Sequence, residues 1–482
     1  MSFEMLQPIA VELFVCASAL LLLLIDMYVP QGARKYLSSL TALFLVAALY
    51  LTTRFDGSGS IGTVYVGSAF TQLCKRLLLG TTLLAVLGGK DFIAKIAARR
   101  QGEYHFLILL CLCGMMLLPG ARDLILLVVC FELMGIPLYV LASFVRDEAT
   151  PEGRLAATRH AAEAGLKLYL VGAASTTITM FGVSLLVGGA GSTRLDALLL
   201  APLTPLHVMG MLLVLGGMGF KIGAVPFHMW VPDTYQGAPT PVVAFLSVAP
   251  KAAGMATLAV LSAKAVPTEV WQPAIVVLAV VTMTVGNLMA LPQRNVKRLL
   301  GYSGVAQIGY MLAALSIGTP YSLGMLLFYL CGYAITNLGV FLVVHAVADG
   351  EGDDSLDGLA GLARRSPWLG MALLMFLLSL AGIPFVIGFW SKLYVFMAAY
   401  QAGLGWLVVV GAVLAVVGLF YYLQVARAAY MVMPTKPQPV QVEPWLAVTI
   451  MICLVLVAGL GAYPGPLVEV CQQAADALLV TR

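Results

Sequence analysis

Long apolar runs dominate this chain, and they constrain its fold more than any other feature. A helix needs about 20 mostly apolar residues to cross the hydrocarbon core of a membrane. About fourteen segments are close to this length: 8–29, 36–53, 70–89, 104–119, 123–145, 163–188, 205–227, 240–263, 271–291, 296–317, 319–347, 367–400, 404–431 and 443–463. Charged residues make up only 10% of the chain, against about 25% in soluble proteins. The sequence therefore predicts an all-α polytopic membrane protein with about 14 transmembrane helices.

Two of the predicted spans contain a glycine–proline break. The span 205–227 breaks at Gly223–Pro226, and the span 367–400 breaks at Gly382–Pro384. Proline removes a backbone donor and clashes with the preceding turn, and non-helical backbone at membrane depth is tolerated only inside protein or beside water. We therefore expect two broken helices that face the interior. The breaks lie five spans apart, and an odd number of spans inverts the second copy relative to the membrane, so the pattern also predicts two inverted repeats. Breaks at corresponding positions of two such repeats are typical of transport sites.

Apart from the charges assigned to loops and to the ends of spans, five charged residues lie inside the predicted spans. They are four lysines and one glutamate: Lys167, Lys221, Lys251, Lys392 and Glu132. Each such charge costs roughly 2.5–3.5 kcal/mol at membrane depth, so these residues must pair, line water or exchange protons. A lysine in apolar surroundings releases its proton more readily than one in water, and a nearby carboxylate has the opposite effect. A Lys–Glu pair that opens and closes would therefore act as a proton switch.

Other polar residues are weaker candidates for a proton relay. His228 follows the first break, where a relay role and a structural hydrogen bond are both open, and Lys167 is close enough to the start of its span to snorkel to the surface. Asp233 is expected to shape the turn after His228, while Glu12 and Asp26 are expected at the membrane interface. On the span 296–317, three polar residues are expected to assist the relay: Ser303, Gln307 and Tyr310.

Motifs of soluble cofactor sites are weak in this sequence. The run 57–62 matches GxGxxG but lacks a βαβ context, and it is interpreted as a loop. The acidic run 349–357 departs from a calcium loop and is interpreted as a solvated loop. The charged connection 146–162 is expected to lie partly on the membrane surface as a helix. The eight cysteines form no CxxC pair and are expected to serve packing, while the scattered basic residues predict no nucleic-acid partner.

The distribution of Lys and Arg predicts the orientation of the chain. Sixteen lie in the loops that follow odd-numbered spans, and seven lie on the other side together with the termini. Because basic loops remain in the cytoplasm, both termini are predicted to be periplasmic.

Three stretches of the sequence resemble a known family. FKIGAVPFHMWVPDTYQGAPTPVVAFLS at 220–247, NVKRLLGYSGVAQIGYML at 295–312 and LSLAGIPFVIGFWSKLYVF at 378–396 are similar to the antiporter-like membrane subunits of proton-pumping NADH–quinone oxidoreductase (respiratory complex I). The resemblance covers nearly the whole chain. The length and Lys392 indicate the N type among these subunits.

The resemblance implies a fourteen-helix fold with two inverted five-helix repeats. It implies an N-terminal three-helix segment at 1–103, a first repeat at 104–264, a second at 265–431, and a C-terminal helix and tail at 432–482. It implies a proton path in which Glu132 modulates Lys221, Lys251 relays at the centre and Lys392 passes the proton onward, with Lys167 also on the path.

The resemblance also implies the setting of the chain. This subunit would hold no cofactor or metal, while FMN, iron–sulfur clusters, NADH and quinone would bind partner subunits. The partners would be the other membrane-arm subunits and the lipid bilayer, in the inner (plasma) membrane of a bacterial cell. Two alternatives stay open: a related subunit of a multi-subunit Na⁺/H⁺ antiporter or membrane-bound hydrogenase, and a passive scaffold whose lysines only pair helices.

Overall fold

Helices form nearly all of the protein. The computed structural model describes residues 6–55, 57–144, 151–265, 267–351, 353–434 and 438–480. Within these residues, helices cover all fourteen predicted spans, and twelve helical segments are long and apolar enough to cross a membrane. Helix Pro367–Ala381 is apolar but shorter, and helix Val296–Leu315 is less apolar because it carries polar residues such as Gln307. The predicted all-α polytopic fold is confirmed.

The N-terminal part contains three long helices and one hairpin. The helices are α1 (Ala10–Tyr28), α2 (Leu37–Arg54) and α3 (Ala69–Ile96). Between α2 and α3, strands β1 (Gly59–Ile61) and β2 (Tyr65–Gly67) pair antiparallel, with Ser60 opposite Val66. The interpretation of 57–62 as a loop was therefore wrong in part, since Gly59–Ile61 forms a strand.

The next part, within the described ranges 101–144 and 151–265, forms eight α-helices. They are α4 (Gln101–Leu117), α5 (Leu124–Ala142), α6 (Pro151–Ala190), α7 (Leu195–Leu200), α8 (Pro205–Ile222), α9 (Trp230–Gly237), α10 (Thr240–Leu246) and α11 (Ala249–Lys264). Residues 151–162 are helical but continuous with the span in α6, so they form no separate surface helix; residues 145–150 lie outside the described part of the chain.

The predicted span 240–263 is interrupted, which the sequence interpretation missed. The interruption lies at Ser247–Val248, between α10 and α11. Pro250 has no N–H to donate to the Leu246 carbonyl four residues earlier, so the helix cannot run through this point without a defect. Lys251 therefore lies in the first turn after a helix interruption.

The described residues from 267 to 480 form nine α-helices. They are α12 (Thr268–Ala290), α13 (Val296–Leu315), α14 (Pro320–Glu351), α15 (Leu362–Arg365), α16 (Pro367–Ala381), α17 (Ile387–Gln401), α18 (Gly405–Met431), α19 (Pro444–Ala462) and α20 (Gly465–Val480). Helix α20 was not predicted. It packs against α14 and α3 and buries Cys471, Ala474, Ala475 and Leu478.

At both predicted breaks, the preceding helix ends with the same backbone geometry. Gly223 after α8 and Gly382 after α16 both adopt left-handed backbone, with φ of 75° and 87°. In each case the N–H of the residue after the glycine donates to the carbonyl five residues earlier. Ala224 donates to the Gly219 carbonyl at 2.8 Å, and Ile383 donates to the Leu378 carbonyl at 3.0 Å. This is the glycine-terminated helix end in which the left-handed residue needs no Cβ. The equivalence predicted for the two breaks is present in their backbone hydrogen bonds.

The core lies on two central segments. The most apolar window of the segment Thr240–Lys264 is wholly buried, and 94% of that of Pro320–Ala348 is buried, whereas the values for Arg159–Ala190 and Gly405–Met431 are 28% and 33%. Helices α10, α11 and α14 are therefore interior, and α6 and α18 are peripheral. The four domain ranges given above stay a prediction.

Candidate functional site

Glu132 and Lys221 form the first charged pair of the interior. The Lys221 ammonium lies 3.7 Å from Glu132 Oε1, and the Lys221 side chain is 8% exposed. Thr176 donates a 2.7 Å hydrogen bond to the same carboxylate oxygen. At 3.7 Å the pair is held by charge without a direct hydrogen bond. The structure thus brings together the two residues that were predicted to form a switch, on α5 and in the last turn of α8.

The first break separates Lys221 from Lys251. A Cβ built on Gly223 would lie 3.8 Å from Lys251 Cε, so the stem of Lys251 packs against the broken backbone. The Thr282 hydroxyl accepts a 3.1 Å hydrogen bond from the Val225 N–H. The backbone of the break is thus partly satisfied inside the protein, as expected for irregular backbone at membrane depth.

Lys251 is the most enclosed of the candidate lysines. It is 1% exposed, its ammonium lies 5.5 Å from the centre of the Tyr235 ring, and it has no hydrogen-bond partner among the described residues. A Cβ on Gly304 would lie 2.8 Å from the ammonium and 3.0 Å from the Tyr333 hydroxyl. Both groups therefore meet beside α13 at a point where glycine leaves room for them.

Polar side chains continue from Tyr333 into the second half. Tyr333 donates to the Ser247 carbonyl at 3.2 Å, at the interruption between α10 and α11. A small pocket is lined by Tyr333, Gln307, Tyr329 and Leu380. The Tyr329 hydroxyl donates to Gln307 Oε1, and Gln307 donates in turn to the Leu380 carbonyl at 2.9 Å.

Lys392 completes this polar chain at the second break. Its ammonium donates to the carbonyls of Leu380 and Ala381 at 2.9 and 2.8 Å, at the end of α16. The Leu380 carbonyl is shared with Gln307, so Lys392 and Gln307 meet on one acceptor. The Tyr310 ring lies 5.0 Å from the ammonium.

The three polar residues expected to assist the relay from the span 296–317 take different positions. Ser303 lies 2.6 Å from the Tyr422 hydroxyl, and Gln307 donates to that hydroxyl at 3.0 Å. Ser303 and Gln307 therefore join the polar chain, and Tyr310 joins it through its ring. The sequence interpretation missed Tyr329, Tyr333 and Tyr422, because a tyrosine in an apolar run gives no signal that distinguishes packing from a network.

Lys167 lies away from this chain. Its ammonium pairs with Glu163 at 2.7 Å and with Asp233 at 2.8 Å, and its side chain is 42% exposed. Asp233 also accepts a hydrogen bond from Arg298, so its role extends beyond the expected shaping of a turn. The structure groups Lys167, in the first half of α6, with the partly exposed charges Asp233 and Arg298, which agrees with the snorkelling alternative left open above.

His228 also lies apart from the lysines. Its ring is 6.2 Å from the Tyr302 ring, and its Nδ1 has no hydrogen-bond partner among the described residues. No described contact joins it to Lys221 or Lys251.

A second buried ion pair lies in the N-terminal part, and the sequence interpretation missed it. The Lys75 ammonium is 2.9 Å from Glu12 Oε1, with side-chain exposures of 1% and 2%, and it donates to the Pro8 carbonyl at 2.7 Å. Tyr65 of β2 donates to the same Glu12 oxygen at 3.0 Å. Glu12 lies in the first turn of α1 and is enclosed by protein, and its interfacial depth stays a prediction. Lys75 was counted with the charges outside the spans, although α3 already begins at Ala69.

Two other charges at the ends of helices are also paired. Asp26 lies 3.4 Å from Arg34 at the end of α1, which agrees with an interfacial position. Asp354, from the acidic run 349–357, pairs with the buried Lys297 at 3.0 Å and accepts from Asn295 at 2.6 Å. The interpretation of that run as a solvated loop was wrong for 349–351, which end α14, while Asp354 is partly exposed and anchors the start of α13.

This fold, with two broken helices and a line of buried lysines, defines an antiporter-like membrane subunit. Residues 121–418 match the family model described as "NADH:quinone oxidoreductase/Mrp antiporter, TM". NADH-quinone oxidoreductase subunit N of Moorella thermoacetica is 36% identical over 478 residues, covering 98% of each chain. The same subunit of Desulfitobacterium hafniense is 35% identical, covering 99% of this chain and 100% of the relative.

Solved structures agree with this class. A chain of respiratory complex I from Thermus thermophilus with bound aureothin has a TM-score of 0.81 and 32% identity, covering 95% of this chain and 98% of that chain. A chain of the Mrp complex from Dietzia sp. has a TM-score of 0.87 at 22% identity, covering 100% and 98%, so it shows the fold alone. The chain belongs to the subunit N family of NADH–quinone oxidoreductase, and the predicted resemblance is confirmed.

Proposed function

We propose that this chain translocates protons as a membrane-arm subunit of an NADH–quinone oxidoreductase. The observation that carries the proposal is the line of Lys and polar groups that leads from Glu132 to Lys392, at whose centre Lys251 has no hydrogen-bond partner among the described residues. A buried lysine without a carboxylate partner is costly in its charged form, and this cost favours release of its proton. This property suits a relay and does not suit a passive helix pairing.

The relay works by proton transfer between side chains, controlled by the distance between Lys221 and Glu132. When Lys221 is close to Glu132, its charged form is favoured; when the pair opens, Lys221 passes a proton toward Lys251 across the first break. Tyr333, Tyr329 and Gln307 then provide hydroxyl and amide groups between Lys251 and Lys392. Quinone reduction in partner subunits would drive the opening of the pair. Lys167 and His228 stay weaker members of the proposed path.

The setting of the chain is part of the proposal. The relatives are subunits of NADH–quinone oxidoreductase, so the reaction assigned to the whole complex is NADH:quinone oxidoreduction coupled to proton translocation. FMN, iron–sulfur clusters, NADH and quinone are assigned to partner subunits, and this chain is assigned no redox centre. The location is the bacterial inner membrane, next to other membrane-arm subunits, with both termini periplasmic as the Lys and Arg distribution predicts.

A glycine substitution tests the position of Lys251. In Gly304→Ala, the added Cβ would lie 2.8 Å from the Lys251 ammonium and 3.0 Å from the Tyr333 hydroxyl, so both must move. We expect an assembled complex whose NADH-driven proton translocation falls about tenfold, because a displacement of about 1 Å at a reacting group can cost that much or more. Proton uptake into inverted membrane vesicles measures it.

The matched control is Gly80→Ala on α3, where a Cβ meets nothing within 4 Å. It should keep normal assembly and translocation. Unchanged translocation in an assembled Gly304→Ala complex would contradict the proposed meeting of Lys251 and Tyr333.

A further inference from the structure

An apolar groove lies between α6, α8, α11 and α12. It is defined by Leu186 of α6, Val214 and Leu215 of α8, Leu258 of α11, and Trp271 and Ile275 of α12. The open space within it is about 610 Å³. Leu212, which also lines it, is 47% exposed, so the groove opens sideways where the protein would face lipid.

The groove extends from one end of the helices to about the middle of the membrane. Helix α8 begins at Pro205, and α12 begins at Thr268, both at the same end as the C-terminus of α11. Leu215 is ten residues into α8, which corresponds to a depth of about 15 Å at 1.5 Å per residue. The hydrocarbon core is about 30 Å thick, so the groove is one leaflet deep.

The shallow end of the groove carries its polar groups. Trp271 is 6% exposed, and its indole Nε1–H has no acceptor among the described residues. Ser262, in the last turn of α11, lines the same end. The deep end is lined by Val214, Leu215 and Leu258, which offer only apolar surface. A ligand that fits this pattern has a hydrogen-bond acceptor at interface depth and a hydrocarbon chain below it.

We infer that the groove binds one membrane phospholipid, with an acyl chain along α8 and α11 and an ester carbonyl that accepts from Trp271 Nε1–H. Tryptophan is enriched at this depth because its ring is apolar and its N–H is polar. The site is independent of the proposed proton path, since none of its groove-defining residues belongs to that path.

Photolabelling tests this inference. The complex that contains this chain is placed in nanodiscs of phosphatidylethanolamine and phosphatidylglycerol with a phosphatidylglycerol probe that carries a diazirine at the end of one acyl chain. We expect adducts on the segments around Val214 and Leu258. Val214→Phe, which fills the groove, should lower these adducts several-fold, while the matched Val413→Phe on the exposed face of α18 should not.

A second variant tests the polar contact. Trp271→Phe keeps an aromatic ring but loses the donor, and it should lower retention of the lipid during delipidation about fivefold, as expected for one hydrogen bond. Equal amounts of adduct in Val214→Phe and Val413→Phe would overturn the site. Displacement of the probe by an equimolar quinone would also overturn it, as would a cross-link from the groove to a neighbouring subunit in place of the lipid adduct. Equal retention in Trp271→Phe would overturn the assignment of the ester carbonyl.

Discussion

Replacing Lys251 by methionine should stop proton transfer through this chain. Methionine keeps an unbranched apolar side chain of similar reach, so it should preserve packing in a site that is 1% exposed. It removes the group that we propose accepts and releases a proton between Lys221 and the polar groups around Tyr333. Loss of a positioned proton-transfer group typically costs a hundredfold or more. In a coupled complex, both NADH-driven proton uptake and quinone reduction should fall by at least about tenfold.

The measurement needs an assembled complex and a surface control. Assembly is checked by native gel electrophoresis of solubilised membranes, and proton uptake and quinone reduction are measured in vesicles from the same membranes. Lys35→Met removes an exposed lysine from the segment between α1 and α2 and should leave all three values unchanged. Undiminished turnover and pumping in an assembled Lys251→Met complex would exclude Lys251 as the central relay.

The second large effect is expected in the N-terminal ion pair, where it concerns stability. Lys75→Met leaves the Glu12 carboxylate buried at 2% exposure, with Tyr65 as its remaining donor. Removing one partner of a buried ion pair typically costs about 3–5 kcal/mol, whereas replacing both partners by apolar residues is often neutral. We therefore expect Lys75→Met to reduce the assembled fraction strongly, and Glu12→Met combined with Lys75→Met to recover most of it.

A matched pair on the surface distinguishes the effect of burial from the effect of losing a charge. Lys95, also on α3, pairs with Glu443 at the same 2.9 Å distance, but the two side chains are 54% and 45% exposed. An exposed pair is worth about 0–1 kcal/mol, so Lys95→Met should change the thermal unfolding temperature of the solubilised complex little. Protons translocated per electron pair should stay normal in the double variant. A double variant as unstable as Lys75→Met, or a complex that assembles fully but pumps less, would contradict a structural role for Glu12 and Lys75.

The broken helices were predictable because their cause is local. A glycine that adopts left-handed backbone, followed by a proline that cannot donate, ends α8 and α16, and both residues can be read from the sequence at 223–226 and 382–384. The motif alone is not sufficient, because Gly135-Ile-Pro137 has the same residue order as Gly382-Ile-Pro384 and lies inside the unbroken helix α5. Pro250 likewise follows the interruption at Ser247–Val248, but a proline without a left-handed glycine does not distinguish a break from an intact helix. Buried Lys221, Lys251 and Lys392 were also predictable, because few lysines occur in the middle of apolar runs.

The missed features depend on contacts between distant parts of the chain. Lys75 follows the start of α3 by less than two turns, and only its contact with Glu12 of α1 shows that it is buried. Whether Lys167 faces the interior likewise depends on Asp233, which lies 66 residues away in the sequence. Helix α20 is too polar to be recognised as a span, and its apolar face has meaning only against α14 and α3.

The most direct test of the relay is Lys251→Arg. Arginine keeps the positive charge and can still pair with neighbouring groups, but its guanidinium does not lose a proton in proteins. The quantity to measure is the number of protons translocated per NADH oxidised, in proteoliposomes that contain the assembled complex. If Lys251 passes protons, Lys251→Arg should pump as poorly as Lys251→Met. Wild-type pumping in Lys251→Arg would show that the site needs only a fixed charge, and it would contradict the relay.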